Sequence, residues 1–511
     1  MKEAKIVRVL TYIYWIPLSV IVLLNAFNSL LRTTYFDLHQ YVEIAKYKWD
    51  RPLLVLFLTM IMIFFFSVIL KINADMRTIK KAVLFWAGIV SLGSVLLFRC
   101  IAKCDSGSLN EIAIQFLQDN YQAFEAGEYL YMYPFQLGFT AIMELIYRIF
   151  GIENFIVLEL INIVCVVDII WLIPKISEEL FEDEKVCKVT AILSMGLLPL
   201  FLLATFIYGD IPGWCMAVNS IFYMIRYLKT DKWLEILKAS VFLAVGIVMK
   251  SNLYIMLAAA VIVIILHAVE RKNVKMLVYV IVMIVMSQLG TLAVNSVYSF
   301  RTGEKIPEGI PKVAWVAMGM QEPYEDGSAA GWYNGYNWNV YVQNEYNVEL
   351  TKKACFTDAK QSIQRFLDEP KGAVLFLYEK FTSQWNDPSF MSLLTNEWYS
   401  RNVEPQSALA EFFLYGAGRT FLLFIMNVYH FLVFGSMAVF CFCGLKKWSL
   451  SKAYLLLNIF GGILFHMLWE AKARYVLFYF VLMVPFAAWG CKKVEERLMY
   501  CWKCGAKDGK S

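Results

Sequence analysis

Apolar residues in this chain come in blocks about as long as a bilayer is thick. Residues 7–31, 52–72, 82–101, 154–174, 187–207, 211–228, 235–251, 253–270, 274–298, 419–445, 452–468 and 473–491 are each dominated by aliphatic and aromatic side chains. Roughly 20 such residues span hydrocarbon as a helix. The expected fold class is an all-α polytopic membrane protein with about twelve transmembrane helices. Of 511 residues, 59% are hydrophobic, 16% aromatic and 17% charged, whereas about a quarter of the residues in a soluble chain are charged. The net charge of +5 is small for this length, and no basic cluster interleaved with aromatics forms a nucleic-acid surface. The first block is too long for a signal-peptide core and no small-residue cleavage site follows it, so it reads as a retained span.

Two features are uninformative alone. Eleven cysteines are scattered mostly through the spans, and the single C-x-x-C of Cys501 and Cys504 lacks the second pair a zinc site needs. No Asn-x-Ser/Thr site occurs, which is compatible with a bacterial source.

The chain divides into a membrane domain (1–299) with a large outer loop (102–153), a polar loop domain (300–415), C-terminal transmembrane helices (416–491) and a tail (492–511). The loop domain carries Pro307, Pro311 and Pro323 and the run Gly327 to Asn339, which reads as structured rather than as a linker. Lys and Arg in short loops set orientation. Arg77, Lys80 and Lys81, Arg226, Lys229 and Lys232, Arg271, Lys272 and Lys275, Lys446–Lys447, and the tail lysines and arginine (Lys492, Lys493, Arg497, Lys503, Lys507, Lys510) all read as cytoplasmic. Alternation satisfies them together only if the apolar stretch 134–150 lies along the outer surface instead of crossing. The mixed-charge loop Lys175 to Lys188 then falls inside, and 102–153 and 300–415 both lie outside.

Ionisable residues at span ends are costly and therefore informative. Four places fall on the outer face. Cys104-Asp105-Ser106-Gly107-Ser108 precedes an amphipathic stretch with Ile112, Phe116 and Leu117 at helical spacing. There Asp105 either caps the helix or serves as a reactive carboxylate. An aromatic turn follows, containing Tyr133 and Gln136, where tyrosines are commonly interfacial anchors. Tyr208-Gly209-Asp210-Ile211-Pro212-Gly213 is a turn that does not require its acid. Lys250-Ser251-Asn252 closes a tight turn, in which Lys250 either snorkels or holds a phosphate. Trp469-Glu470-Ala471-Lys472-Ala473-Arg474-Tyr475 offers Arg474 for bidentate phosphate recognition, unless Arg474 pairs with Glu470 at i, i+4. Together these residues suit a reaction on an anionic, phosphate-bearing lipid, with a carboxylate to deprotonate a hydroxyl.

In order along the chain these residues are Asp105, Ala126-Gly127, Tyr147-Arg148-Ile149-Phe150-Gly151, Asp210 and Lys250 to Asn252. The series resembles the integral-membrane C-type glycosyltransferases, in particular the family 39 group of protein O-mannosyltransferases and aminoarabinose transferases. The resemblance covers about 98–300, with Arg474–Tyr475 matching loosely, and 300–415 matching nothing specific. It implies transfer of a sugar from a polyprenyl-phosphate carrier to a glycan, lipid or protein acceptor, in the plasma membrane of a bacterium and at its outer face. By position, Asp105 is then the catalytic carboxylate and Asp210 the second acid, with Lys250, Arg474, Tyr475, Tyr133 and Gln136 binding substrate. The family's first motif often has two adjacent acids and a nearby tyrosine. Here Ser106 follows Asp105, and Leu109 and Asn110 occupy the tyrosine zone, so a divalent metal stays an open cofactor without assigned ligands. Lys250 and Arg474 are placed to balance charge on a departing phosphate. The run Gly331 to Trp338 either stacks on sugars or packs a small outer domain, and packing is the favoured reading. The competing class is a transporter or flippase of lipid-linked saccharides, which tends to show inverted repeats and broken spans at mid-membrane; no convincing repeat is seen. A catalytically dead scaffold is the third.

Overall fold

The structure, a computed structural model, describes residues 2–39, 42–72, 74–323, 328–400, 406–444 and 448–508, with side chains between residues 12 and 500. The thiols of Cys501 and Cys504, the pair Lys446–Lys447, Gly327, and the side chains of Lys503, Lys507 and Lys510 lie outside this description. The fold is nearly all helical, as expected of a polytopic membrane protein. Each of the twelve apolar blocks contains helix, but not all of them meet the length and apolarity of a crossing. Among the described residues nine helices do, and a tenth is the pair Glu184–Ser194 and Leu198–Thr205, bent by 47°. The helix Trp233–Met249 has only 17 residues, and Asp210–Thr230 starts on a carboxylate and carries Lys229 in its last turn.

Burial patterns follow from hydrophobic placement. In Pro52–Lys71, proline occupies the first turn, where its missing N–H costs nothing. Val55, Thr59, Ile63 and Phe66 form one buried stripe there, while Phe57, Phe64 and Phe65 are exposed, as suits a face against lipid. The helix Ala473–Asp508 is different: residues 476–484 are all buried. A helix apolar all round belongs in the interior, and this one is the axis of the bundle. It approaches Ala417–Cys443 so closely that a Cβ on Gly490 would lie 1.9 Å from the Ser436 carbonyl oxygen; small residues permit such contacts between membrane helices.

The stretch 134–150 forms the helix Leu137–Phe150, of 14 residues. At 1.5 Å per residue it extends about 21 Å, short of the roughly 30 Å of hydrocarbon. Its Met143, Glu144 and Tyr147 are buried while Leu145, Ile149 and Phe150 are exposed. At the far end of Asp210–Thr230 from Asp210, Lys229 meets Glu179 and Glu182, each at 2.9 Å, and Lys492 pairs with Asp183. The mixed-charge loop therefore sits with two of the basic groups read as cytoplasmic.

One element was not anticipated. Arg32–His39 and Val42–Trp49 form an antiparallel hairpin, in register from Arg32↔Trp49 to His39↔Val42. It packs on the region 300–415 through Phe36 and Trp332, whose ring centroids are 4.5 Å apart. That region is helical, with Val313–Met318, Tyr336–Gln343, Val348–Asp368 and Pro370–Trp385 as its main helices. Its small core of Ile310, Ala314, Trp315, Met318, Tyr341 and Cys355 includes Met132 from the first large loop.

Candidate active site

A cavity of about 950 Å³ opens where the first loop, the 300–415 region and the 469–475 turn converge. Asp105, Tyr133, Gln136, Lys250, Arg474 and Tyr475 all line it. Residues separated by up to about 370 positions in sequence are thus drawn to one space by the packing of short helices onto the bundle.

Asp105 stands in the first turn of Cys104–Leu117. Ser106, not Asp105, closes that end: its Oγ accepts the Lys103 N–H at 3.2 Å and donates to the Lys103 carbonyl at 3.1 Å. Asp105 is exposed to the cavity and makes no hydrogen bond or ion pair with the described residues. Its charge is felt at Tyr133, Tyr208, Lys250, Glu470 and Tyr475. The preceding Cys104 has φ 48°, a left-handed conformation that costs about 1–3 kcal/mol in a non-glycine residue and tends to mark functional sites.

Asp210 is placed differently. It is 1% exposed and lies behind the cavity wall, with Oδ1 at 2.9 Å from Lys250 Nζ and Oδ2 at 3.7 Å from Arg474 Nε. Backbone contact enforces the first pairing, because a Cβ on Gly209 would lie 2.1 Å from the Met249 carbonyl oxygen. The two cations sit among aromatic faces: Arg474 Cζ is 4.2 Å from the Phe206 ring, and Lys250 Nζ is 5.0 Å from Tyr208 and 5.2 Å from Tyr475. Cation–π attraction strengthens as such groups lose water. Gln136 Nε2 donates to the Tyr208 hydroxyl, fixing that ring. Arg474 Nε is buried without a hydrogen bond. One carboxylate shared by two cations leaves positive charge at this end of the cavity.

Arg474 therefore pairs with Asp210 and not with Glu470. Lys472 Nζ lies 2.8 Å from Glu43 of the hairpin, an acid the sequence reading did not single out. Glu470 is 6% exposed and lines the cavity, and burial pushes its carboxyl up to about 7. The run Gly331 to Trp338 divides its duties. Trp332 is buried and donates its indole N–H to Ser383 at 2.8 Å, whereas Tyr333 and Asn337 face the cavity.

The 300–415 region also holds the 469–475 turn in place. Lys380, fully buried, donates to the Trp469 carbonyl at 2.8 Å and to the Gly319 carbonyl. The Ala471 N–H donates to the Gly331 carbonyl at 2.8 Å, and the Trp315 and Trp469 rings stack at 5.6 Å. Replacing Lys380 by methionine keeps an unbranched chain as far as Cε and removes the ammonium that makes both bonds. An orphaned buried carbonyl costs about 1–3 kcal/mol, so Lys380→Met is expected to lower the thermal midpoint in detergent, a shift read by intrinsic tryptophan fluorescence.

Residues 136–291 match the family model described as dolichyl-phosphate-mannose-protein mannosyltransferase. The chain resembles the C-type membrane glycosyltransferases. The matched stretch contains Gln136, Tyr208, Asp210 and Lys250, while Asp105, Glu470 and Arg474 lie outside it. No curated protein matches the chain. Among the described residues, no group of three or more His, Cys, Asp or Glu is arranged to hold a metal ion.

Proposed function

We propose that the protein transfers a sugar from a polyprenyl-phosphate donor to an acceptor at the outer face of a bacterial plasma membrane. The observation that carries this reading is one cavity lined by Lys250 and Arg474 and by the carboxylate of Asp105, which makes no hydrogen bond or ion pair with the described residues. The resemblance of residues 136–291 supports it.

In this reading the donor phosphate lies against Lys250 and Arg474, whose remaining N–H groups take its oxygens. Ile247, Val248, Ile255, Val294 and Phe465 on the cavity wall receive the first isoprenoid units. The acceptor hydroxyl approaches the anomeric carbon from the Asp105 side. Its oxygen forms the new bond to carbon as its proton passes to the Asp105 carboxylate, and the bond from carbon to phosphate oxygen breaks with the electron pair leaving on the phosphate. That leaving group is stable as an anion and needs no proton, so holding both substrates in line and supplying a base does most of the work. The cations stabilise charge as it develops. Asp210 is then a counter-ion that keeps Lys250 and Arg474 in position, and Tyr133, Gln136 and Tyr475 shape the pocket around the donor.

The test uses the purified chain in proteoliposomes containing labelled dolichyl-phosphate mannose and membrane-derived acceptors. Transfer releases dolichyl phosphate and moves label into acceptor. Passage of intact label across the bilayer without release would favour a flippase and end this reading.

A further inference from the structure

The 470–474 segment alternates Glu470, Lys472 and Arg474, and its two cations are both claimed by acids from other elements. Lys472 goes to Glu43 of the hairpin at 2.8 Å, and Arg474 goes to Asp210 at the head of its helix. The third charged group has no such claim. Glu470 is 6% exposed, lines the cavity, and makes neither a hydrogen bond nor an ion pair with any described residue. A buried carboxyl left without a partner is costly, and the structure holds it there: the Ala471 N–H and the Trp469 carbonyl on either side are both pinned to the 300–415 region. Lys472 and Arg474 attract the Glu470 charge and Asp105 and Glu43 repel it, and Glu470 acts in turn on buried Lys380 and on the Tyr133, Tyr333 and Tyr475 hydroxyl groups. Two carboxyls without a hydrogen bond or ion pair among the described residues thus line one cavity.

We infer that Glu470 is a second catalytic carboxyl, one that touches the sugar acceptor directly and accepts hydrogen bonds from its hydroxyl groups beside Asp105. This rests on the glycosyltransferase reading and extends it to the acceptor subsite. The occupant it fits is a neutral polyol or hydroxyl-bearing acceptor, because two carboxylates repel an anionic one. Glu470 orients the acceptor, while Asp105 takes the proton of the attacking hydroxyl as already described, so no additional proton or electron enters the balance. Its raised ionisation range gives a signature: as the pH falls through about 7, Glu470 gains a proton and ceases to be a pure acceptor of hydrogen bonds. Acceptor binding then weakens on the acid side.

The experiment measures label transfer from dolichyl-phosphate mannose to membrane-derived acceptors over a pH series, for the full-length wild type, Glu470→Gln and Glu470→Asp. Retention of labelled dolichyl-phosphate mannose by the purified proteins reports folding and the donor end separately. Glu470→Gln is expected to retain donor like wild type, to transfer about 100-fold more slowly, with the loss mostly in the acceptor KM, and to lack the acid limb near neutrality. Glu470→Asp recovers part of the rate. Wild-type rates and an unchanged acid limb in Glu470→Gln would overturn the inference and leave the glycosyltransferase reading standing. A wild type that neither retains nor consumes the donor would overturn both.

Discussion

Asp105→Asn is expected to slow sugar transfer by about 100- to 10,000-fold, the range spanned by removal of a general base, while the protein remains folded and binds donor. The structure separates these effects. Asp105 makes no hydrogen bond or ion pair with the described residues, and Ser106 closes the helix end in its place. Asparagine fits the same first turn. Folding loses only the attraction between a carboxylate and the helix N-terminus, about 0.3–1 kcal/mol. Thermal unfolding of the purified variant, run beside the transfer assay, checks both halves. A variant that transfers at the wild-type rate would remove Asp105 from the chemistry.

Asp210→Asn is expected to behave in the opposite way. Its carboxylate is 1% exposed and is shared by Lys250 and Arg474. Neutralising it leaves two cations facing each other with little water to screen them. Breaking a buried ion pair from one side costs about 3–5 kcal/mol, so a large fall in thermal midpoint precedes any effect on rate. Where the variant does fold, the displaced cations should bind donor phosphate less well, raising the donor KM. Donor retention and thermal unfolding measured on one preparation distinguish this from the Asp105 result. Equal stability of Asp210→Asn and wild type would contradict the counter-ion role.

Most of the bundle was legible because spans carry a long, strong compositional signal. The blocks at 52–72 and 473–491 correspond to Pro52–Lys71 and Ala473–Asp508 with little adjustment. The count differs at Trp233–Met249, a helix of 17 residues that is shorter than a free span. The hairpin at 32–49 escaped notice because its strands lie between two spans and Val42–Trp49 buries no residue fully. Strand pairing there is fixed by docking on the 300–415 region, which local sequence does not display.

The site was partly legible for a related reason. Asp105, Asp210, Lys250 and Arg474 stand out as charges beside apolar blocks, and expense at the membrane edge marks them individually. What sequence could not reveal is the pairing among them. Arg474 has Glu470 at helical spacing, yet the helix begins only at Ala473, so that geometry never forms and Asp210 takes its place. Glu43 and Tyr208 gain their roles only through contacts with Lys472 and Gln136 that span long stretches of chain. The surface placement of 134–150 brought the four charges to one face on paper; in the fold they meet around one cavity or directly behind its wall.

In the proposed mechanism this cavity holds a lipid-phosphate sugar with its phosphate at the cations and its reactive carbon turned toward Asp105. A structure of Asp105→Asn with bound dolichyl-phosphate mannose tests it most directly. Phosphate oxygens are expected within hydrogen-bond distance, about 2.7–3.2 Å, of Arg474 and Lys250, with the anomeric carbon facing residue 105 across room for one hydroxyl. Phosphate bound away from both cations, or an anomeric carbon turned away from residue 105, would contradict it.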